Sequence, residues 1–161
     1  MDAEIAKLFL GYSESKLRQM REYVEACLGR LTEEQVWGRG GAHENAIGNL
    51  ILHLCGNVRQ WIVAGVGGAQ DVRDREQEFA AQGGRGIREL TALLRETVAD
   101  ASRVLGTVTP QRLTEVIRPQ HGPVTVLEAI YQVVGHFQQH TGQIIYATKI
   151  YAGEDLGLYK P

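Results

Sequence analysis

Four stretches of the chain place apolar residues in steps of three and four, the spacing of one face of an α-helix. In the first, Ile5, Leu8, Phe9 and Tyr12 are followed by Met20, Tyr23, Val24, Cys27, Leu28 and Leu31, which predicts a helix over about residues 3–29. The second runs Ile47, Leu50, Ile51, Leu54, Val58, Trp61 and Ile62. Asn45 is suited to cap its start, and Gly65 with Gly67-Gly68 to stop it. The third uses Ile87, Leu90, Leu94, Val98, Ala101, Val104 and Leu105 and ends at Gly106 and Pro110. The fourth carries the sharpest start signal: Thr125 and Glu128 form a capping-box pattern ahead of Leu127, Ile130, Val134, Phe137, Ile144 and Ile145. It is expected to reach Ala152 and to end at Gly153.

Three connections separate these segments. Residues 30–44 hold a short turn of helix at Thr32–Val36 and then glycines. Residues 66–85 are Gly-rich and charged around DVRDREQEF, long for a loop without structure of its own; such loops in compact domains are usually functional or disordered. In LTEVIRPQHGPVTV, β-branched residues flank a Pro/Gly turn, which predicts a small hairpin before the last helix. Four amphipathic helices bury their stripes best against one another, so the expected architecture is an all-α four-helix bundle. The long middle connections leave room for a crossover topology in place of an up-down meander.

Composition narrows the function classes. A chain of 161 residues is one domain by size, here read as 1–161, and at 43% apolar and 22% charged residues it is globular in type. Lys plus Arg number 17 and Asp plus Glu 19, with no basic tract, so nucleic acid is not an expected partner. No run of about 18 apolar residues predicts a membrane span, and the N-terminal MDAEIAKLFL lacks a signal-peptide pattern. Cys27 and Cys55 form neither a CxxC pair nor a disulfide framework and read as buried thiols. The expectation is a soluble, cytoplasmic protein.

Candidate chemistry comes from the histidines. His136 and His140 are spaced i, i+4, about 40° apart around a helix and about 6 Å along it, so one face can present both to a single ion. Val133, Phe137 and Ile144 place this pair near the core boundary. His53, inside the strongest apolar helix, is a third candidate; it reads either as a ligand converging with the pair or as a satisfied structural histidine. Three imidazoles would leave a position on a divalent ion for water or substrate. His43 and His121 lie in Gly/Pro-containing loops and read as solvated. The segment HFQQH has no glutamate of the HExxH type, the helices lack the Glu and ExxH pairs of a di-iron bundle, and no Walker loop, GxGxxG turn or GxSxG elbow occurs.

Three segments, NAIGNLILHLCGNVRQWI, DVRDREQEF and GHFQQHTGQIIYATKIYAG, resemble the DinB/YfiT-like superfamily of metal-binding helical bundles, closest to a branch of small bacterial proteins. The resemblance covers nearly the whole chain. It implies that His53, His136 and His140 hold a divalent metal, with zinc or nickel expected. It also implies a metal-dependent enzyme using a low-molecular-weight thiol such as bacillithiol, mycothiol or glutathione against an electrophilic small molecule. A bound thiol would be favoured as its thiolate, the nucleophilic form. Activation of water for hydrolysis at the same site is the alternative, and a metal-stabilised bundle without turnover a third reading. Around this site Asn57 reads as hydrogen-bonding behind the ligands or to a substrate, or as solvated helix face, Gln143 as a residue orienting His140 or lining the pocket, and Tyr146 as a donor to ligand or a packing residue. Arg75 and Glu78 read as an anion-binding flap or as a surface ion pair, and Trp61 and Phe79 as packing. Homodimerisation through exposed helix faces is the expected association.

Overall fold

The computed structural model describes residues 2–41, 43–120 and 122–158, so His121 lies outside the described residues. Four long helices form the bundle: α1 (Ala3–Leu28), α3 (Ile47–Val58), α5 (Ile87–Leu105) and α6 (Val126–Ala152). Between them lie the short helices α2 (Glu33–Trp37) and α4 (Arg75–Ala80), a 3-10 turn at Arg112–Thr114, and strands β1 (Val116–Ile117) and β2 (Val124–Thr125). The strands pair antiparallel, Val116 opposite Thr125 and Ile117 opposite Val124, as the hairpin expectation had it.

Local chemistry sets the helix ends. Thr125 caps α6: its hydroxyl accepts from the Glu128 amide and the Glu128 carboxylate accepts from the Thr125 amide at 2.7 Å. The helix stops at Gly153, whose φ of +66° is the left-handed conformation glycine tolerates best. Thr32 and Gln35 build the same reciprocal cap on α2. At α3 the expectation needs correcting. The helix starts at Ile47 after Ala46, and the side chain that accepts the Ala46 amide, at 3.1 Å, is Asn49 within the first turn, not Asn45 before it.

Two further corrections concern helix faces. The N-terminal half of the α1 stripe is rotated from that expected: Ile5, Leu8 and Tyr12 are exposed and Phe9 is only half-buried against the core, while Ala6, Ser13, Leu17, Met20 and Val24 face it. Ser13 is accommodated because its hydroxyl donates to the Phe9 carbonyl at 2.7 Å. The second helix also does not continue as a plain α-helix. From Arg59 to Val66 it widens into a π-helix, with the Gly67 amide donating five residues back to Ile62 at 2.8 Å. Bare backbone is used there: a Cβ on Gly65 would stand 2.9 Å from Pro119, and one on Gly67 2.8 Å from Val104.

The four long helices are joined as a crossover bundle. α1 neighbours α5 and α6, and α3 neighbours the same two from the opposite corner. Arg30 after α1 pairs with Glu154 after α6, so these two helices run parallel. Arg95 of α5 reaches Glu25 of α1, while the start of α1 meets Leu105 at the end of α5, so this pair runs antiparallel. Phe137, Leu17, Leu28, Ile51, Leu54, Leu94 and Ile144 fill the middle, each almost fully buried. The parallel step from α3 to α5 requires a return connection, residues 67–86, which folds back across α3 and carries α4. This strap is tied at its far end by Trp37, whose Nε1 donates to the Arg85 carbonyl at 2.9 Å. Trp37 in turn lies over Gly48, where a Cβ would be 2.8 Å from its ring. Among the described residues no helix is long and apolar enough to cross a membrane.

Candidate metal centre

The wall between α3 and α6 brings together the histidines expected there. His53 Nε2 stands 3.0 Å from His136 Nε2, and His140 Nε2 stands 3.1 Å from the same atom. Three such ligand nitrogens lie within 4.8 Å of one another. Nitrogens held about 2.0–2.1 Å from one ion stand about 2.9–3.4 Å apart, so both short separations suit a shared cation. The proton positions point the same way. His53 Nδ1 is 2.9 Å from Glu78 Oε2, and His140 Nδ1 is 2.6 Å from Gln143 Oε1. Each Nδ1 therefore carries the proton, and each Nε2 turns a lone pair toward His136. A proton on His136 Nε2 can serve these two lone pairs only by being shared; a cation serves all three nitrogens at once. Among the described residues no Cys, Asp or Glu joins the imidazoles as a further ligand. The donor set therefore suits metal binding in this fold.

Electrostatics keep these donors free. Burial first, then the neighbouring His140, His53 and Arg73 charges, push the His136 pKa down to about 4. Burial also lowers that of His140, against the opposing hydrogen bond of Gln143. Both rings are accordingly neutral at pH 7. Cys55, by contrast, is pushed up to about 12, chiefly by burial, and burial raises Cys27 as well, so neither thiol offers a thiolate.

Behind His53 sits a buried ion pair whose partners differ from the expectation. Glu78 pairs with Arg73, not with a flap arginine at 75: Arg73 Nε donates to Glu78 Oε1 at 2.7 Å and Nη2 to Oε2 at 2.9 Å. Both side chains are buried, which rules out a surface ion pair. Burial acts to raise the Glu78 pKa, but hydrogen bonds from Arg73 and His53 and their charges outweigh it, and the carboxyl lies below its ordinary value. Arg73 Nη2 also approaches His53 Nδ1 to 3.1 Å. Because both nitrogens carry protons, the bond to His53 belongs to the carboxylate.

Other residues of the region take varied places. Arg75 lies over the Phe79 ring, 5.1 Å from its centre, and forms no ion pair among the described residues. Phe79 lies against His53, ring centres 4.7 Å apart, so it walls the site and is not mere filler. Asn57, one turn after His53, is buried and not solvated helix face, and its Oδ1 has no partner among the described residues. Trp61 Nε1 and His136 Nδ1 are likewise buried and unpartnered among the described residues. Tyr146 is exposed and its hydroxyl bonds to none of the histidines. His43 is exposed in a turn.

Two residues of this constellation escape a reading of the sequence. Arg73 sits two positions from Arg75 in the same charged run, and nothing in spacing separates them. Asn49, one turn before His53, is fully buried and donates to the carbonyls of Glu78 at 2.9 Å and Ala81 at 2.8 Å, tying α4 to α3. A polar residue in line with His53 inside an apolar stripe was the available signal.

Residues 4–158 match the family described as Protein of unknown function (DUF1572). Two solved structures share the fold. A conserved protein from Enterococcus faecalis superposes with a TM-score of 0.74 at 18% identity, over 89% of this chain and 97% of its own. A DinB-like protein of Bacillus subtilis, YjoA, does so with a TM-score of 0.67 at 12% identity, over 89% and 94%. No curated protein sequence matches the chain. The DinB-like fold read from the sequence is thus the fold of the molecule.

Proposed function

This chain belongs to the DUF1572 family, and from that premise we propose that it is a divalent-metal-dependent enzyme transferring a low-molecular-weight thiol to an electrophilic small molecule. The observation that carries the reading is the convergence of three imidazole lone pairs, with no acidic or thiol side chain added as a fourth ligand. Zinc or nickel fits this all-nitrogen set. When bound at such a site, the ion supplies a position at which an incoming thiol is held as its thiolate.

The protein's own residues do the remaining work. Glu78 and Gln143 fix the ring orientations of His53 and His140 through their Nδ1 protons. Phe79 excludes water from one side of His53, and Arg75, stacked on Phe79 with no acidic partner among the described residues, offers its guanidinium to an anionic group of the thiol or its acceptor. Hydrolysis is less favoured because, among the described residues, no free carboxylate stands at the cluster to assist in taking a proton from water. Glu78, the acid in contact with the cluster, has both oxygens engaged by Arg73 and His53.

Elemental analysis tests the premise directly. Wild-type protein purified without a metal-affinity tag should hold about one zinc or nickel per chain, and a His136→Ala/His140→Ala variant essentially none. Loaded protein should then consume bacillithiol or glutathione in the presence of an alkyl halide or epoxide. Loss of a test ester without thiol consumption would replace thiol transfer by hydrolysis. Absence of metal after incubation with either ion would overturn the enzyme reading.

A further inference from the structure

The strap that crosses α3 is held by an unusual concentration of polar contacts at one point, directly behind a candidate ligand. Glu78 touches His53 with Oε2 and Arg73 with both oxygens. Arg73 Nη1 donates to Gln60 Oε1 at 2.9 Å, and Gln60 Nε2 donates to Asp71 at 2.8 Å, so the arginine is braced against the π-helix. On the other side Asn49 and Arg39 hold the carbonyls of Phe79 and Ala81. The fit of the carboxylate against α3 depends on missing atoms: a Cβ on Gly56 would stand 1.8 Å from Glu78 Oε1 and 3.0 Å from Arg73 Nε.

We propose that Glu78, fixed by Arg73, is a positioning residue for the metal: its carboxylate holds the His53 ring with Nε2 facing the ion, and so couples metal affinity to docking of the strap on α3. The inference rests on the metal-binding reading above. Its physical content is a linkage. An undocked strap leaves His53 free to rotate and to move its proton to Nε2, which removes a lone pair from the site. Any factor by which docking raises metal affinity is, by reciprocity, the factor by which metal favours docking. Arg73 makes the arrangement all-or-none, because its buried guanidinium has Glu78 as its only carboxylate partner among the described residues.

The test compares wild type, Glu78→Gln, Glu78→Asp and the exposed control Glu76→Gln in zinc titrations. Hydrogen exchange over residues 70–82 and the 15N-edited signal of the His53 Nδ1 proton are followed in the same samples. Outer carboxylates of this kind typically carry about 10–100-fold in metal affinity. Glu78→Gln should weaken zinc binding by that factor, lose the Nδ1 signal, and show no zinc-dependent protection of the strap. Glu76→Gln should match wild type, in which zinc slows exchange of the strap. Glu78→Asp keeps the charge for Arg73 but withdraws the oxygen from His53, so it should lose zinc affinity while keeping its metal-free melting temperature. It also carries the test if Glu78→Gln does not fold. A Glu78→Asp protein that binds zinc within twofold of wild type, with the strap protected as before, would overturn the proposal while leaving the three-histidine site intact. Failure of the wild type itself to bind zinc or nickel would overturn the metal reading and this inference with it.

Discussion

On the bundle side of the candidate metal centre, His53, His136 and His140 stand on two long helices among Ile51, Leu54, Phe137 and Ile144, all four of these apolar residues essentially without solvent exposure. On the strap side, Arg73 and Glu78 stand on a return connection and a helix of only six residues, and most of what fastens them is polar: carbonyls held by Asn49 and Arg39, an ion pair, a glutamine brace. The ligands thus inherit the stability of the global core. The positioning groups depend on a local unit with little apolar area to hold it down, the kind of element that opens before the whole molecule does. Two parts of one site a few ångströms apart are therefore expected to open as different cooperative units.

Perturbations should separate these units. The largest effect is expected from Phe137→Ala, which empties a fully buried site in the core next to His136 in the chain. Chemical denaturation should show a loss of about 3–5 kcal/mol, with ligands and strap lost in one transition.

Acid should come next, and its sign is set by the site. His136 titrates at about 4 when folded, against 6.5 for an ordinary histidine. The unfolded chain therefore takes up this proton first as pH falls, and the metal-free fold loses stability from about pH 6.5 down to 4, on the order of 2–3 kcal/mol from this group. Glu78, whose folded pKa is depressed, acts in the same direction at lower pH, its contribution being present above its unfolded value and lost below. Urea midpoints of the metal-free protein between pH 7 and 4 would measure the slope. A flat profile would mean that His136 is not buried beside other imidazoles as described.

Gly56→Ala should have a smaller global effect and a sharper local one. The new methyl occupies the place of Glu78 Oε1, so the strap must lift. The global cost should be about 2 kcal/mol, while Arg73 and Arg75 become sensitive to trypsin and the bundle stays resistant. Equal protease sensitivity of strap and bundle would erase the distinction between the two units.

The same contrast explains what could be read in advance. The periodicity of the last two long helices, the Thr125–Glu128 cap, the stop at Gly153 and the i, i+4 histidines are local patterns, and each is found where the pattern put it. The α1 stripe misleads because its first half offers two faces of similar merit. Ile5, Leu8 and Tyr12 are larger, but the inner position takes the small residues Ala6 and Ser13, and the size of the gap is set by neighbouring helices. Asn45 and Asn49 are both plausible caps by type, and only the start of α3 at Ile47 decides between them. The choice of Arg73 over Arg75 as the partner of Glu78 depends on which one lies beside Gly56, a distance across elements that no spacing rule encodes.

The π-helix at Arg59–Val66 gives the chain a form of tolerance that an α-helix lacks. A widened turn holds roughly one residue more than the α-turn it replaces, so it adjusts the phase between the helix on its N-terminal side and the chain on its C-terminal side. His53 and Asn57 take their angular setting from the regular helix before it, whereas Gln60, the brace of Arg73, takes its setting from the widened segment. A gain or loss of one residue there over evolutionary time would turn the brace by about 100° and leave the ligand untouched. Descendants of one ancestral bundle could in this way keep the three histidines while exchanging the strap behind them.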